Sequence, residues 1–353
     1  MMPPFINYLT KVRNMKTTLI LLTAFSCLWA GNNAATTGSG NYDRQVAKAK
    51  YRRPEKIPFP AYNPPTAAKI ELGRTLFFDP RLSGSSWISC ASCHNPGFSW
   101  GDGLAKGIGQ GMKTLSRRTP TILNTAFNET LFWDGRAASL EEQALGPIQS
   151  KGEMAMDLEQ MMKVLKAIPG YAPLFAAAFP GKPLSQELVG NAIACYERTI
   201  VSGKAPFDRW IAGREDALNE EAKQGFDLFN TKANCAKCHS GWNFTDDGFH
   251  DTGVNDEDRG RAVVLNLPAM EHAFKTPTLR NAVERAPFLH NGSEPSLEDV
   301  IELYNKGGRT NRPSLSSEIK PLHLTEAEKR SLAAFLRSLS SADEQTKIPR
   351  LPR

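Results

Sequence analysis

Two copies of one five-residue pattern constrain this chain more than anything else in it. Cys90-Ala91-Ser92-Cys93-His94 and Cys235-Ala236-Lys237-Cys238-His239 both read C-x-x-C-H. Cysteines at this spacing can each add a sulfur to a vinyl group on a porphyrin edge. The histidine that follows then lies under the ring, where its imidazole can bind iron. A lone C-x-x-C also serves as half a zinc site or as a redox dithiol. Zinc asks for two such pairs in one small unit, or for added histidines at ligand spacing. Here the pairs stand far apart and each runs directly into a histidine. The sequence therefore implies two covalently held c-type haems, with His94 and His239 as proximal iron ligands.

Thioethers consume four of the six cysteines. Cys27 lies in Met15–Ala30, where a lysine leads an apolar run that ends in small residues. The run is too short to span a bilayer comfortably and has the form of a secretory signal peptide. Residues 1–35 are read as an unused upstream start plus this signal, with cleavage after Ala30 or Ala35. Residues 36–55 are read as a flexible leader. Ala24-Phe25-Ser26 before Cys27 makes a poor lipobox, so a lipoprotein is the less favoured alternative. Cys195 has no partner and is expected to be a buried apolar filler, without a structural disulfide. Export to the periplasm agrees with the haem motifs, since c-type haems are attached outside the bacterial cytoplasm.

With 353 residues, 41% hydrophobic and 23% charged, the chain has room for two separate cores. Its net charge of +6 comes without a dense Lys/Arg run, which speaks against nucleic-acid binding. Nearly every periodic segment predicts helix. Thr66 to Phe78 is one, stopped by Asp79-Pro80. Ser139-Leu140-Glu141-Glu142 opens another that is expected to end at Gly146-Pro147. Asp157 opens a third, with Met161 and Met162 on its apolar face, where they are expected to be core. Ser185 to Val201 is a fourth. Residues 203–218 look like a join, and Asn219 to Phe229 leads into the second motif. Ser296 opens a helix with Leu297, Val300, Ile301 and Tyr304 on one face, and Thr325 caps the last. Between the first motif and residue 111 the chain is rich in glycine, which suggests backbone folded over the edge of the haem. The expected fold is mainly α, with two cytochrome-c-like domains, 56–203 and 204–353, and the active site near their interface.

Function turns on the far side of each iron. A filled position transfers electrons, and an open one binds peroxide or oxygen. From the residues alone the candidates are His250, His272, His290, His323, Tyr304 and several methionines. Tyr304 lies on an apolar stripe, so its hydroxyl needs a partner, which a core carbonyl could also supply.

From about residue 66 to 340 the chain resembles the bacterial di-haem cytochrome c peroxidases, a family that includes MauG. Besides both haem motifs, the resemblance rests on LGRTLFFDPRLS (72–83), RTPTILNTAFN (118–128), FWDGRA (132–137), EEQALGPIQ (141–149), FKTPTLRNA (274–282) and APFLHNGS (286–293). It implies that the N-terminal haem is peroxidatic and that the C-terminal haem receives electrons. It makes Trp133 the tryptophan between the haems, Gln143 the distal amide and Glu153 the distal acid. A carboxylate over an open iron can take a proton from H2O2 and return it to the leaving oxygen.

Departures from the family carry information. Members that need reductive activation have a histidine in the glycine loop, and the position here is Gln110, a poor haem ligand. Ordinary peroxidases ligate the second haem with methionine. Here the position is Tyr304, as in MauG, and a phenolate lowers the potential. MauG's tryptophan two residues before its second motif is Ala233 here. The family's inter-haem calcium uses an asparagine side chain at the position of Arg118; a guanidinium cannot ligate calcium, so that ion is expected only if the match slips by one residue.

The resemblance thus implies a periplasmic di-haem peroxidase reducing H2O2 with a MauG-like ligand set. Electrons would come from a small cytochrome c, a cupredoxin or an oxidisable partner protein. One alternative is a MauG-type oxidase that modifies a partner protein through a high-valent di-haem state. The other is a non-catalytic di-haem electron carrier.

Overall fold

The computed structural model describes residues 42–342 and 346–353. The expected signal peptide and residues 36–41 of the expected leader lie outside the described residues. The first half contains α1 (Arg44–Ala49), α2 (Ala67–Phe77), α3 (Cys90–Cys93), α4 (Leu140–Gln149), α5 (Leu158–Ala167), α6 (Tyr171–Ala178) and α7 (Gln186–Glu197). The second contains α8 (Pro206–Ile211), α9 (Glu220–Asn230), α10 (Ala262–Leu265), α11 (Leu297–Asn305) and α12 (Glu326–Arg337). A two-residue antiparallel pair, β1 (Phe249–His250) and β2 (Phe274–Lys275), is the one sheet among the described residues.

Each half is built on one pair of crossed helices, α2 on α7 and α9 on α12. Local chemistry starts them where the sequence predicts. Thr66, Ser185, Asn219 and Thr325 each accept a backbone N–H from the first turn of their helix. A glycine then lets each pair touch at the backbone. A Cβ on Gly73 would stand 1.9 Å from the Ala192 carbonyl oxygen, and one on Gly225 would stand 1.9 Å from that of Ser331. One turn beyond each glycine a phenylalanine enters the core. Phe77 meets Tyr196 with ring centroids 5.4 Å apart, and Phe229 meets Phe335 at 5.0 Å. Two buried clusters result, one around Leu72, Leu76, Phe77 and Ile193, the other around Phe207, Phe226, Phe244 and Phe335.

Met161, Met162 and Cys195 are buried core residues, as expected. Three expectations need correction. The leader is not flexible from Tyr42 onward. Asp43 caps α1, Tyr42 and Arg44 both bind Asp227, and Tyr51 is 1% exposed and stacked on Phe244. Within the join at 203–218, α8 places Phe207 and Trp210 fully inside the second core. The helix after Ser139 does not stop at Gly146-Pro147 but runs on to Gln149. Proline forfeits only its own N–H, and the onward bonds Ser150 N to Gly146 O, Met154 N to Pro147 O and Met156 N to Ile148 O hold the segment. Finally, α7 ends at Glu197, short of Val201, because the chain turns to place the Ile200 carbonyl on the Asn124 N–H.

Candidate haem site

Both C-x-x-C-H motifs open into one cavity of about 720 Å³, bounded also by α4, α11 and the loops that precede them. Cys90, Cys93, Cys235 and Cys238 are all free thiols. Burial pushes Cys93 and Cys238 up to about 11 and Cys235 up to about 12. Such thiols are poor nucleophiles, which disfavours a redox-dithiol role. Burial holds His94 and His239 below their ordinary value. The Nδ1–H of His94 donates to the Trp100 carbonyl at 3.4 Å, and that of His239 to the Phe244 carbonyl at 2.9 Å. A carbonyl can only accept, so in each ring Nε2 keeps its lone pair for a metal.

The wall facing these histidines is duplicated. Shifting the chain by 157 positions superimposes Thr119-Pro120-Thr121 on Thr276-Pro277-Thr278 and Ser139-Leu140-Glu141 on Ser296-Leu297-Glu298. The backbone obeys the same shift. Asn124 and Asn281 have φ of 64° and 53°, and Gly135 and Gly292 both have φ of 66°. The bridge Leu131 to Ala137 recurs as Phe288 to Glu294. Helix α4 therefore corresponds to α11, Trp133 to His290 and Pro147 to Tyr304. On α11, Leu297 and Ile301 enter the core while Val300 and Tyr304 line the cavity. Burial raises the Tyr304 hydroxyl to about 12. Pro147, in the matching place, offers no donor atom at all.

Other predicted residues gather here. Gln143, Trp133 and Glu153 line the cavity. Trp133 donates Nε1–H to the Arg118 carbonyl at 2.8 Å, and its ring lies 6.3 Å from His290, edge to face. Glu153 sits on the loop after α4. The Gln110 N–H holds that loop through the Glu153 carbonyl at 2.8 Å, and a Cβ on Gly109 would stand 1.9 Å from the Gly152 oxygen. The glycine loop thus packs between the first motif and the acid. Gln110 itself is not among the cavity-lining residues, and its buried Oε1 has no partner. Of the alternative far-side ligands, His250 and His290 line the cavity, but the Nε2 of each is bonded to a carboxylate, Asp246 at 2.8 Å and Asp256 at 2.6 Å. His272 and His323 do not line it.

Sequence inspection missed three things. The 157-residue repeat outside the haem motifs was legible in the two T-P-T and S-L-E strings. Glu197, 4% exposed on the cavity wall, has an unpartnered Oε2 and is raised to about 8 by burial. No local signal marks it. The third is the state of Arg118, whose buried Nε has no partner. Unbridged cysteine pairs, imidazoles with Nε2 left open and orphaned polar atoms around one apolar cavity fit two covalent haems.

Comparison with known proteins agrees. The family described as di-haem cytochrome c peroxidase matches residues 67–216, and cytochrome c matches 222–340. The "Methylamine utilization protein MauG" of Methylorubrum extorquens is 49% identical over 92% of this chain and 92% of its own. This chain belongs to the di-haem cytochrome c peroxidase family. The cytochrome c551 peroxidase of Pseudomonas aeruginosa is 34% identical, covering 85% of this chain and 86% of its own. A crystal structure described as a MauG-like protein associated with microbial copper homeostasis superposes with a TM-score of 0.75 at 31% identity. It covers 82% of this chain and 94% of that one. As a di-haem peroxidase, the protein is an H2O2-dependent oxidoreductase carrying two c-type haems in a mostly helical fold. Among the described residues no helix is long and apolar enough to cross a membrane.

Proposed function

We propose that the first haem pocket reduces H2O2 and that the second receives the electrons, in the periplasm. The observation that carries this is the asymmetry of a duplicated wall: Pro147 stands where the second pocket has Tyr304. Iron in the first pocket, when bound, supplies a coordination site for peroxide and a route for electrons. Gln143 orients the substrate with its amide. Glu153 takes the proton from the near oxygen and returns it to the far one, so that the leaving group departs as water. Two further protons and two electrons complete the reduction to two waters. Tyr304 closes the second pocket, which leaves it an electron relay, and Trp133 lies on the path between the two. A small cytochrome c, a cupredoxin or an oxidisable protein supplies the electrons.

Tyr304 favours a second reading, in which a partner protein is the electron source and is covalently altered, as a MauG-type oxidase would do. Turnover separates the two. The oxidised enzyme as isolated, mixed with H2O2 and a reduced cytochrome c or cupredoxin, should oxidise that donor without prior reduction. Rapid consumption of H2O2 with a modified partner and no donor oxidation would move the assignment to the second reading. Failure of both would leave an electron carrier. Tyr304→Phe should abolish the low-spin ferric signal of the second haem. An unchanged signal would withdraw the ligand assignment.

A further inference from the structure

Arg118 is 6% exposed, yet among the described residues it forms no ion pair, and its Nε has no hydrogen-bond partner. Its Nη2 reaches only the Arg285 carbonyl. The one carboxylate that acts on it, Asp102, accepts instead from the Thr119 hydroxyl at 2.6 Å. The repeat supplies a control. Lys275 opens the matching Thr-Pro-Thr string, is equally buried at 7%, and has Asp247 as counter-ion at 3.2 Å. A buried cation without an anion is costly, so Arg118 awaits an anion that is not a side chain.

The backbone pins this guanidinium between the halves. The Arg118 carbonyl accepts from Trp133 in the first half, and its N–H donates to the His290 carbonyl in the second at 2.7 Å. It lines the cavity that both haem motifs share. Each haem, when bound, would carry two carboxylates. In the family this position holds a calcium-ligating asparagine. A guanidinium has only donors and a full positive charge, so it cannot ligate calcium and would repel it.

We propose that Arg118 is a fixed internal cation between the haems, ion-paired with a haem carboxylate, and that it takes the place of the inter-haem calcium. The proposal rests on the two covalent haems and not on the identity of the electron donor.

The test uses purified holoprotein. Metal analysis after gel filtration should find no stoichiometric calcium. Chelator or added Ca2+ should leave the optical spectrum and both midpoint potentials unchanged. Arg118→Gln should retain two haems by pyridine haemochrome but lower the potential of at least one, because removing a positive charge disfavours the reduced iron. Arg118→Lys should restore most of that shift. One chelatable calcium per chain whose removal alters the wild-type spectrum would overturn the proposal. So would an Arg118→Gln variant with two haems and unchanged potentials. If Arg118→Gln does not load haem, the wild-type calcium titration still decides.

Discussion

Helices α4 and α11 are equivalent, and at matching places on the cavity wall one carries the ring carbons of Pro147 and the other the hydroxyl of Tyr304, the difference on which the proposed division of roles rests. Glu153 owes its place to neither helix. It is set by the loop that Gln110 holds and that the absent side chain of Gly109 admits. Glu153→Gln keeps that loop and removes the proton carrier. It should slow H2O2 reduction by about 10²–10⁴-fold with haem content unchanged, as stopped-flow mixing would measure, and a near wild-type rate would remove Glu153 from the mechanism. The roles proposed for Glu153, Gln143 and Trp133 come from the resemblance alone, because a lone acid or amide near a helix end has no local mark of function. Glu197 and the unpaired state of Arg118 were not legible at all, since burial and the lack of a partner are properties of the assembled cavity.

At the scale of elements, the helices were legible because their caps are local. The side chains of Thr66, Asp157, Asn219, Ser296 and Thr325 bond donors within three residues of themselves. Helix ends were less legible. The run of α4 through Pro147 depends on bonds to the loop that follows it, and the early stop of α7 on a bond to Asn124, far off in sequence. The crossings make a separate prediction. Gly225→Ala would put a methyl 1.9 Å from the Ser331 oxygen, so α9 and α12 must part. The loss should be at least about 2 kcal/mol, seen as a lower melting temperature and less haem on the second motif. Gly73→Ala should do the same to the first half. An unchanged melting curve for both would mean that the crossings relax freely.

The whole molecule is two haem-wrapping halves fastened by more than the cavity. Residues 42–51 belong to the first half in sequence but pack on the second core through Tyr51. The C-terminal tail does the reverse, with the Arg353 carbonyl accepting from the Gly170 N–H at 3.0 Å and the Lys347 carbonyl from Arg74 at 2.8 Å. Arg117 bridges the halves directly, binding Asp134 at 2.6 Å and Asp258 at 2.7 Å. The attachment chemistry of each half is nevertheless its own. A double variant Cys235→Ser, Cys238→Ser should keep one haem that survives denaturation, read by pyridine haemochrome. Retention of two would refute the thioether assignment.

The sequence by itself determined two covalent haems, the helical class and the caps. All of these rest on residues at most a few positions apart, and so on chemistry that needs no fold. The tertiary structure decided which side chains share the cavity with each histidine, which charges find counter-ions, and which arms cross between the halves. Those properties join residues tens to hundreds of positions apart, and the burial that sets their energies exists only once the two cores have closed around a common cavity.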